Sequence, residues 1–424
     1  MRQIAVPPFD RLDPFLPKPF VTDATLRDQV GRILADVARR GDLAVRHWTL
    51  EFDGVDLAPA TWELPRSSWE PALDRLGPEL RDALEAAVSR VRAYHERQRD
   101  PGFSVLEEDG SILGMRVTPL ERVGLYVPGG KAAYPSSVIM NAVPAVVAGV
   151  EEIIAVTPPS GATDAVLAAC YLSGVTRIFR LGGAQAIGAM AFGTATVPRV
   201  DKIVGPGNRW VAEAKRQVAG LVGIDMIAGP TEVVIIADST AVPEQIAADL
   251  IAQAEHDEDA SAWCITTDLE LANQLPGAIA QLLARNPRAA VAQASLDQNG
   301  LLVWVPTLAD AVTVANLRAP EHLEIVTRDP EALLDGIRHA GAIFLGAHSP
   351  ESVGDYLAGP SHVLPTGGTA RHASPLGVYD FVRRSSVIQY TRDRLNADAS
   401  RIIALAEAEG LHGHAEAVRV RLQE

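Results

Sequence analysis

The chain has 424 residues, 47% hydrophobic and 21% charged, with a net charge of −15. That length exceeds what one simple core takes, so two or more domains are expected. The acidic balance, with no dense Lys/Arg run, argues against a nucleic-acid surface and against docking on anionic lipid.

Two cysteines, Cys170 and Cys264, sit inside apolar segments and read as buried reduced thiols, with no disulfide framework available. Residues 1–13 have neither a basic-then-apolar leader nor an Arg/Ser-rich transit character. No apolar run approaches the roughly 18 residues of a membrane span. The expected compartment is a bacterial-type cytoplasm.

Residues 1 to about 25 are proline-rich and read as an arm lying on something else. Thr22 or Asp23 can cap the helix that follows, in which Val30, Ile33, Leu34 and Val37 are spaced for burial and Gly41 is the stop. A second helix, about Pro78 to Arg99, carries Leu80, Leu84, Ala87, Val91 and Tyr94 on one side. From Arg122 the pattern changes to short apolar runs at 123–127, 153–156, 177–181 and 202–204, each followed by a turn that opens a helix. Those turns are Pro128-Gly-Gly130, Pro158-Pro-Ser-Gly161, Gly182-Gly-Ala-Gln185 and Gly205-Pro-Gly-Asn208. Repeated strand–turn–helix units predict a parallel sheet with crossover helices, and ligands at the carboxyl ends of its strands. The pattern restarts with runs at 232–237, 262–266, 301–305, 322–326 and 342–345. The fold class is therefore α/β: two Rossmann-like parallel-sheet modules related by duplication, an N-terminal arm and a C-terminal helical tail. The tail has a helix near Asp393 to Glu409, the bend Gly410-Leu-His-Gly-His414 and a last amphipathic helix. It must bury its apolar face on its own body or on a neighbouring subunit.

Among residues able to do chemistry, Gln253 and His256 stand three apart at the end of a helix opened by Pro243. An amide oxygen and an imidazole there can hold a divalent metal, although such a pair is more often ordinary surface chemistry. The glycine turns offer N–H groups to phosphates, yet none matches G-x-G-x-x-G, and plain tight turns are an equal reading. Glu321 and His322 are adjacent behind Pro320 at the start of a strand. A carboxylate beside an imidazole can move protons near neutral pH, and the bland alternative is a helix-to-strand turn. Asp355 in Gly354-Asp-Tyr356 suits a hard ligand or a turn. His362 precedes a rigid Pro365, and Glu409 precedes His412 and His414 by a few residues.

Singly these are ambiguous; in combination they are specific. Gly124-Leu-Tyr-Val-Pro-Gly-Gly130, Gly182-Gly-Ala-Gln-Ala-Ile187, Asp201-Lys-Ile-Val-Gly-Pro-Gly-Asn208, Ala228-Gly-Pro-Thr-Glu232, Gln253-Ala-Glu-His256, Ala319-Pro-Glu-His322 and Gly354-Asp-Tyr356 occur in one order. With Ser361-His362, Glu409 and His414, the chain closely resembles the histidinol dehydrogenase family from about residue 20 onwards.

The resemblance implies a zinc-dependent homodimer that oxidises L-histidinol to L-histidine through bound histidinal, reducing two NAD⁺. It implies Gln253, His256 and Asp355 as zinc ligands, with His414 arriving from the partner subunit, and Glu321 and His322 as the acid/base pair. Thr231, Tyr356, His362 and Glu409 match positions that contact substrate, as do the zinc ligands and His322. Tyr126, Gln185 and Asn208 match positions that contact NAD. The implied divisions are an arm over 1–25 and a helical part over 26–125 packing with the second module. A first module on the NAD side would span 126–230, and a second with the zinc and acid/base residues 231–375. A tail over 376–424 would cross to the partner. Two departures stand out: Thr231 where the family usually has serine, and Arg318 where a less charged residue is expected. A related zinc dehydrogenase of another small alcohol, such as a sulfonated diol, would share the metal and NAD residues but is expected to lose Glu409. A non-enzymatic α/β ligand-binding module would not need Glu321, His322 and the metal set together.

Overall fold

The computed structural model describes residues 1–17, 23–129 and 134–422. Thr22 and Gly130, a cap and the end of a turn in the sequence reading, lie outside them. The chain divides into two compact units: Met1–Gln98 with Leu120–Phe381, and Arg99–Pro119 with Val382–Glu424.

The first unit holds two parallel sheets. The five-stranded sheet runs in the order Arg177–Arg180, Glu152–Thr157, Arg122–Tyr126, Lys202–Val204, Gly223–Ile224, all parallel. The first four are largely buried on both faces, which is why they read as unbroken apolar runs, while the two-residue Gly223–Ile224 gave no such signal. Alternate side chains enter different cores, as a period of two requires. Val123, Leu125, Ile153, Ala155 and Ile178 join one cluster, while Tyr126, Ile154, Val156 and Phe179 join the other.

Helices of the N-terminal third supply both covers. Ala24–Arg40 is capped by the Asp23 side chain and stops at Gly41. Its Val30, Ile33, Leu34 and Val37 are buried against Gly183–Phe192 and Arg209–Val218 of the first module. The fit depends on Gly188, where an added Cβ would come within 3.2 Å of Leu34. Pro78–His95 buries Leu84, Ala87 and Val91 in the other cluster, while Leu80 and Tyr94 stay exposed. Ala24–Arg40 and Pro78–His95 thus pack on the first module, and Pro78–His95 also meets the second, where Arg90 donates to the Leu357 carbonyl at 3.4 Å. Their apolar stripes match the alanine- and glycine-rich helices of the first module.

The six-stranded sheet runs Arg2–Ala5, Leu301–Trp304, Ser261–Thr266, Glu232–Ala237, His322–Val326, Ala342–Leu345, again wholly parallel. All five expected strands are present. The sixth comes from the N-terminal arm, whose Arg2 pairs with Leu301 at the edge. Its sequence, Arg-Gln-Ile-Ala, is too short and too polar to announce a strand.

The second unit was expected to be helical and is only partly so. Phe103–Leu106, Ile112–Pro119 and Val382–Gln389 form an antiparallel three-stranded sheet. The helices Arg392–Ala408 and His412–Leu422 pack on one another through Ala399, Ala406, Ala415 and Val418. Among the described residues, no helix is long and apolar enough to cross a membrane.

Candidate active site

Between the two sheets of the first unit lies a cleft of about 510 Å³. On one side it is lined by turns that follow strands of the five-stranded sheet: Pro128 and Gly129, Gly205 to Asn208, and Asp225. Gly205 has φ +106°, and a Cβ there would stand 2.2 Å from the Tyr126 carbonyl oxygen, so only glycine fits. Asp225 accepts from the Gly205 N–H at 2.8 Å and pairs with Lys215, whose ammonium donates to the Gly205 carbonyl at 3.0 Å. Asn208 caps the helix Arg209–Val218 through its own side chain.

The opposite wall comes from the amino ends of the six-stranded sheet. The helix Leu308–Arg318 ends at Ala319, a non-glycine residue held in the left-handed region at φ 50°, at a cost of about 1–2 kcal/mol. That reversal, with Pro320, delivers Glu321 and His322 to the start of their strand. Glu321 Oε2 accepts from the Thr231 hydroxyl at 2.6 Å and from the Glu232 N–H at 2.9 Å. The Gln253 amide nitrogen donates to the Thr231 oxygen at 2.9 Å. His322 Nδ1 stands 3.2 Å from the Glu232 carbonyl oxygen. A carbonyl can only accept, so Nδ1 carries the hydrogen and Nε2 is the free base. Nε2 is buried and has no hydrogen-bond partner.

Burial sets the protonation states. It pushes the Glu321 carboxyl up to about 8 against the two donors, and holds His322 down to about 4. His322 is therefore a neutral imidazole at neutral pH, while Glu321 can hold or release a proton there. Behind His322, burial raises Glu324 to about 8 and Asp249 to about 6, and Glu351 well above its ordinary range.

Asp355, Tyr356, His256 and His362 line the same cleft with Thr231, Glu321 and His322. Gln253 is fully buried, and its Oε1 has no partner, since the amide nitrogen serves Thr231. An orphaned amide oxygen on the side chain that holds the cleft-lining Thr231, with a carboxylate and an imidazole on the cleft itself, fits a divalent cation. Among the described residues, the group of His/Cys/Asp/Glu side chains whose ligand atoms all lie within 4.8 Å of one another is His322, Glu351 and Asp355. Glu351 escaped the sequence reading. Its spacing of four residues from Asp355, one helical turn within Glu351–Tyr356, was the available signal.

Tyr126, Gln185 and Asn208 line a separate cavity of about 360 Å³ with Asp53 and Trp210. The Tyr126 hydroxyl accepts from the Gly183 N–H at 3.1 Å, and burial pushes its pKa to about 12. Both side-chain polar atoms of Gln185 are buried without partners. Glu409 and His414 belong to the second unit and lie exposed there. Arg318, unexplained by sequence, forms a buried ion pair with Glu232 and lies over the Trp263 ring, 5.1 Å from its centroid.

Residues 17–422 match the family model for histidinol dehydrogenase. The chain is 51% identical over 422 residues to a histidinol dehydrogenase of Pseudomonas syringae pv. syringae, covering 99% of this chain and 94% of that one. It is 51% identical over 413 residues to one of Aquifex aeolicus, covering 97% and 96%. A crystal structure of histidinol dehydrogenase from Elizabethkingia anophelis superposes with a TM-score of 0.94 at 34% identity, covering 100% of this chain and 98% of that one. Matched over nearly its whole length in sequence and in fold, the chain belongs to the histidinol dehydrogenase family.

Proposed function

We propose that the cleft performs the NAD-dependent, four-electron oxidation of L-histidinol to L-histidine, holding histidinal between the halves. The observation that carries the residue assignment is the pairing of a neutral imidazole, its Nε2 free, with a carboxyl of raised pKa on one buried wall. In the first half His322 Nε2 takes the hydroxyl proton as the carbinol carbon gives up hydride. In the second, Glu321 takes a proton from the water that attacks the aldehyde carbon, and a second hydride leaves. Thr231 and the Glu232 N–H hold the Glu321 carboxylate in place for that task. A bound nicotinamide supplies the hydride acceptor, with Tyr126, Gln185 and Asn208 lining the pocket assigned to the cofactor.

Gln253, His256 and Asp355 would hold a zinc ion, joined by His414 from a second copy of the chain. Bound there, the ion supplies a Lewis-acidic anchor that orients the substrate's imidazole and amino groups. Support on this chain is the unpartnered Gln253 oxygen, on a side chain bonded to Thr231, together with His256 and Asp355 on the cleft that Thr231 lines. Glu409 and His414, exposed on the second unit, would complete the partner's site, with Glu409, Tyr356 and His362 contacting substrate. We place the enzyme in the cytoplasm as a homodimer.

Purified protein given L-histidinol and excess NAD⁺ should form two NADH per L-histidine and release no histidinal. No NADH would refute the reading, and one NADH with free aldehyde would refute the two-step site. For the shared site, inactive His256→Ala and His414→Ala proteins should be dissociated, mixed and reassembled. About a quarter of wild-type activity should return, because random mixing makes half the dimers mixed, each with one intact site of two. No recovery, with subunit exchange verified, would put His414 in its own chain's site.

A further inference from the structure

We propose that Arg318 is a positioning residue for both acid/base groups, acting through Glu232. The inference rests on the reading of Glu321 and His322 given above. Glu232 is the residue both groups touch: its N–H donates to Glu321 at 2.9 Å, and its carbonyl accepts from His322 Nδ1 at 3.2 Å. The first contact orients the carboxylate, and the second selects the tautomer that leaves Nε2 free. Where the Glu232 backbone sits therefore decides where both catalytic atoms sit.

Strand pairing with Ser261 holds that backbone from one side, and the Glu232 side chain anchors it further. Its carboxylate pairs with the Arg318 guanidinium and accepts from the Gly367 N–H at 3.1 Å. Arg318 in turn is fixed by lying over the Trp263 ring. It is also the residue before Ala319 and Pro320, so the segment 318–322 is tied to Glu232 at three points: guanidinium, carboxyl and imidazole. Both members of the ion pair are buried, with side-chain exposures of 8% and 3%. An apolar pair of similar volume would avoid the desolvation cost of burying two charges. What it could not do is fix direction, since a planar guanidinium sets angle as well as distance.

The test is steady-state kinetics of zinc- and NAD-loaded Arg318→Ala with L-histidinol and with histidinal, alongside its thermal unfolding. A shift on the order of 1 Å at the acid/base atoms should lower kcat by about 10–100-fold on both substrates. KM for L-histidinol and for NAD should stay within about twofold, because Arg318 lines neither the cleft nor the cavity proposed for the cofactor. Arg318 borders a cavity of about 720 Å³, so millimolar guanidinium chloride should return part of the lost kcat. A purely structural role would lower the midpoint of unfolding and the folded fraction while leaving kcat per folded chain unchanged. That result, or a kcat within about threefold of wild type, overturns the proposal. If Arg318→Ala does not fold, Arg318→Lys carries the test: it keeps the charge but loses the fork, and should lower kcat with little change in unfolding. Wild-type kcat in that variant overturns the proposal. Full activity in Glu321→Gln and His322→Asn would instead defeat the acid/base reading itself. Loss in those two with an unaffected Arg318→Ala would defeat this inference alone.

Discussion

In the five-stranded sheet the groups that face the cleft come after the strands, as the turns at Pro128–Gly129 and Gly205–Asn208; in the six-stranded sheet they come before the strands, as Thr231, His256, Glu321 and His322. The first wall offers backbone and glycine, with the cavity proposed for the cofactor beside it. The second offers buried ionisable side chains whose pKa values burial has moved. Two sheets built by the same strand–helix alternation therefore present different groups to the cleft, because opposite ends of their strands are used. A strand's carboxyl end opens into a helix N-terminus that can meet an anion. An amino end presents free N–H and C=O groups, which here aim Glu321 and His322.

If that division holds, lesions on the two walls should separate kinetically. The largest effect is expected for His322→Asn, which removes the base of the alcohol step and should lower turnover by about 10²–10⁴-fold. NAD affinity, measured by fluorescence titration, should not change. Next comes the metal. His256→Ala should weaken zinc retention by about tenfold or more, and chelation of the wild type from about one zinc per chain should abolish activity. An active metal-free preparation would remove the metal from the second wall. On the first wall, Gln185→Ala should raise KM for NAD roughly fivefold, the worth of one hydrogen bond, with kcat little altered. A fall in kcat at unchanged KM would mean that the cofactor wall also shapes the chemistry.

The smallest effect concerns the scaffold under the first wall. His95, at the end of Pro78–His95, is fully buried, its Nδ1 donating to the Val91 carbonyl at 2.8 Å, and burial lowers its pKa below 6.5. The unfolded chain takes up this proton near pH 6.5 and the folded chain only at lower pH. Stability is therefore fully present above that value and falls as the pH drops below it. His95→Phe should flatten the decline of the unfolding midpoint between about pH 7 and 5; an unchanged slope would assign it to other groups.

Most strands of both sheets were legible in sequence because they are buried on both faces and read as continuous apolar runs; the two-residue Gly223–Ile224 was not. Glu321 and His322, the proposed acid/base pair, were legible as neighbours at a strand start because Pro320 frames them. Three further things were not. The edge strand Arg2–Ala5 and the antiparallel sheet around Ile112–Pro119 carry short, half-exposed patterns that sequence periodicity cannot separate from loop. The covering of the first module by residues 26–98 depends on which surface accepts an apolar stripe, which an isolated stripe does not say. The rule that ligands gather at carboxyl ends covers only half the cleft, because the second wall is held by tertiary contacts to Glu232. Arg318 belongs with these, since its partner lies 86 residues earlier in the chain.

The division of labour within the second wall is tested most directly by Glu321→Gln, assayed separately on L-histidinol oxidised to the aldehyde and on supplied histidinal. The variant keeps the Thr231 and Glu232 donors and leaves His322 Nε2 free, but removes the group that takes the proton from water. Histidinal oxidation should fall by about 10²-fold or more while single-turnover alcohol oxidation stays within about threefold of wild type. Equal losses in the two steps would contradict the separate roles assigned to Glu321 and His322.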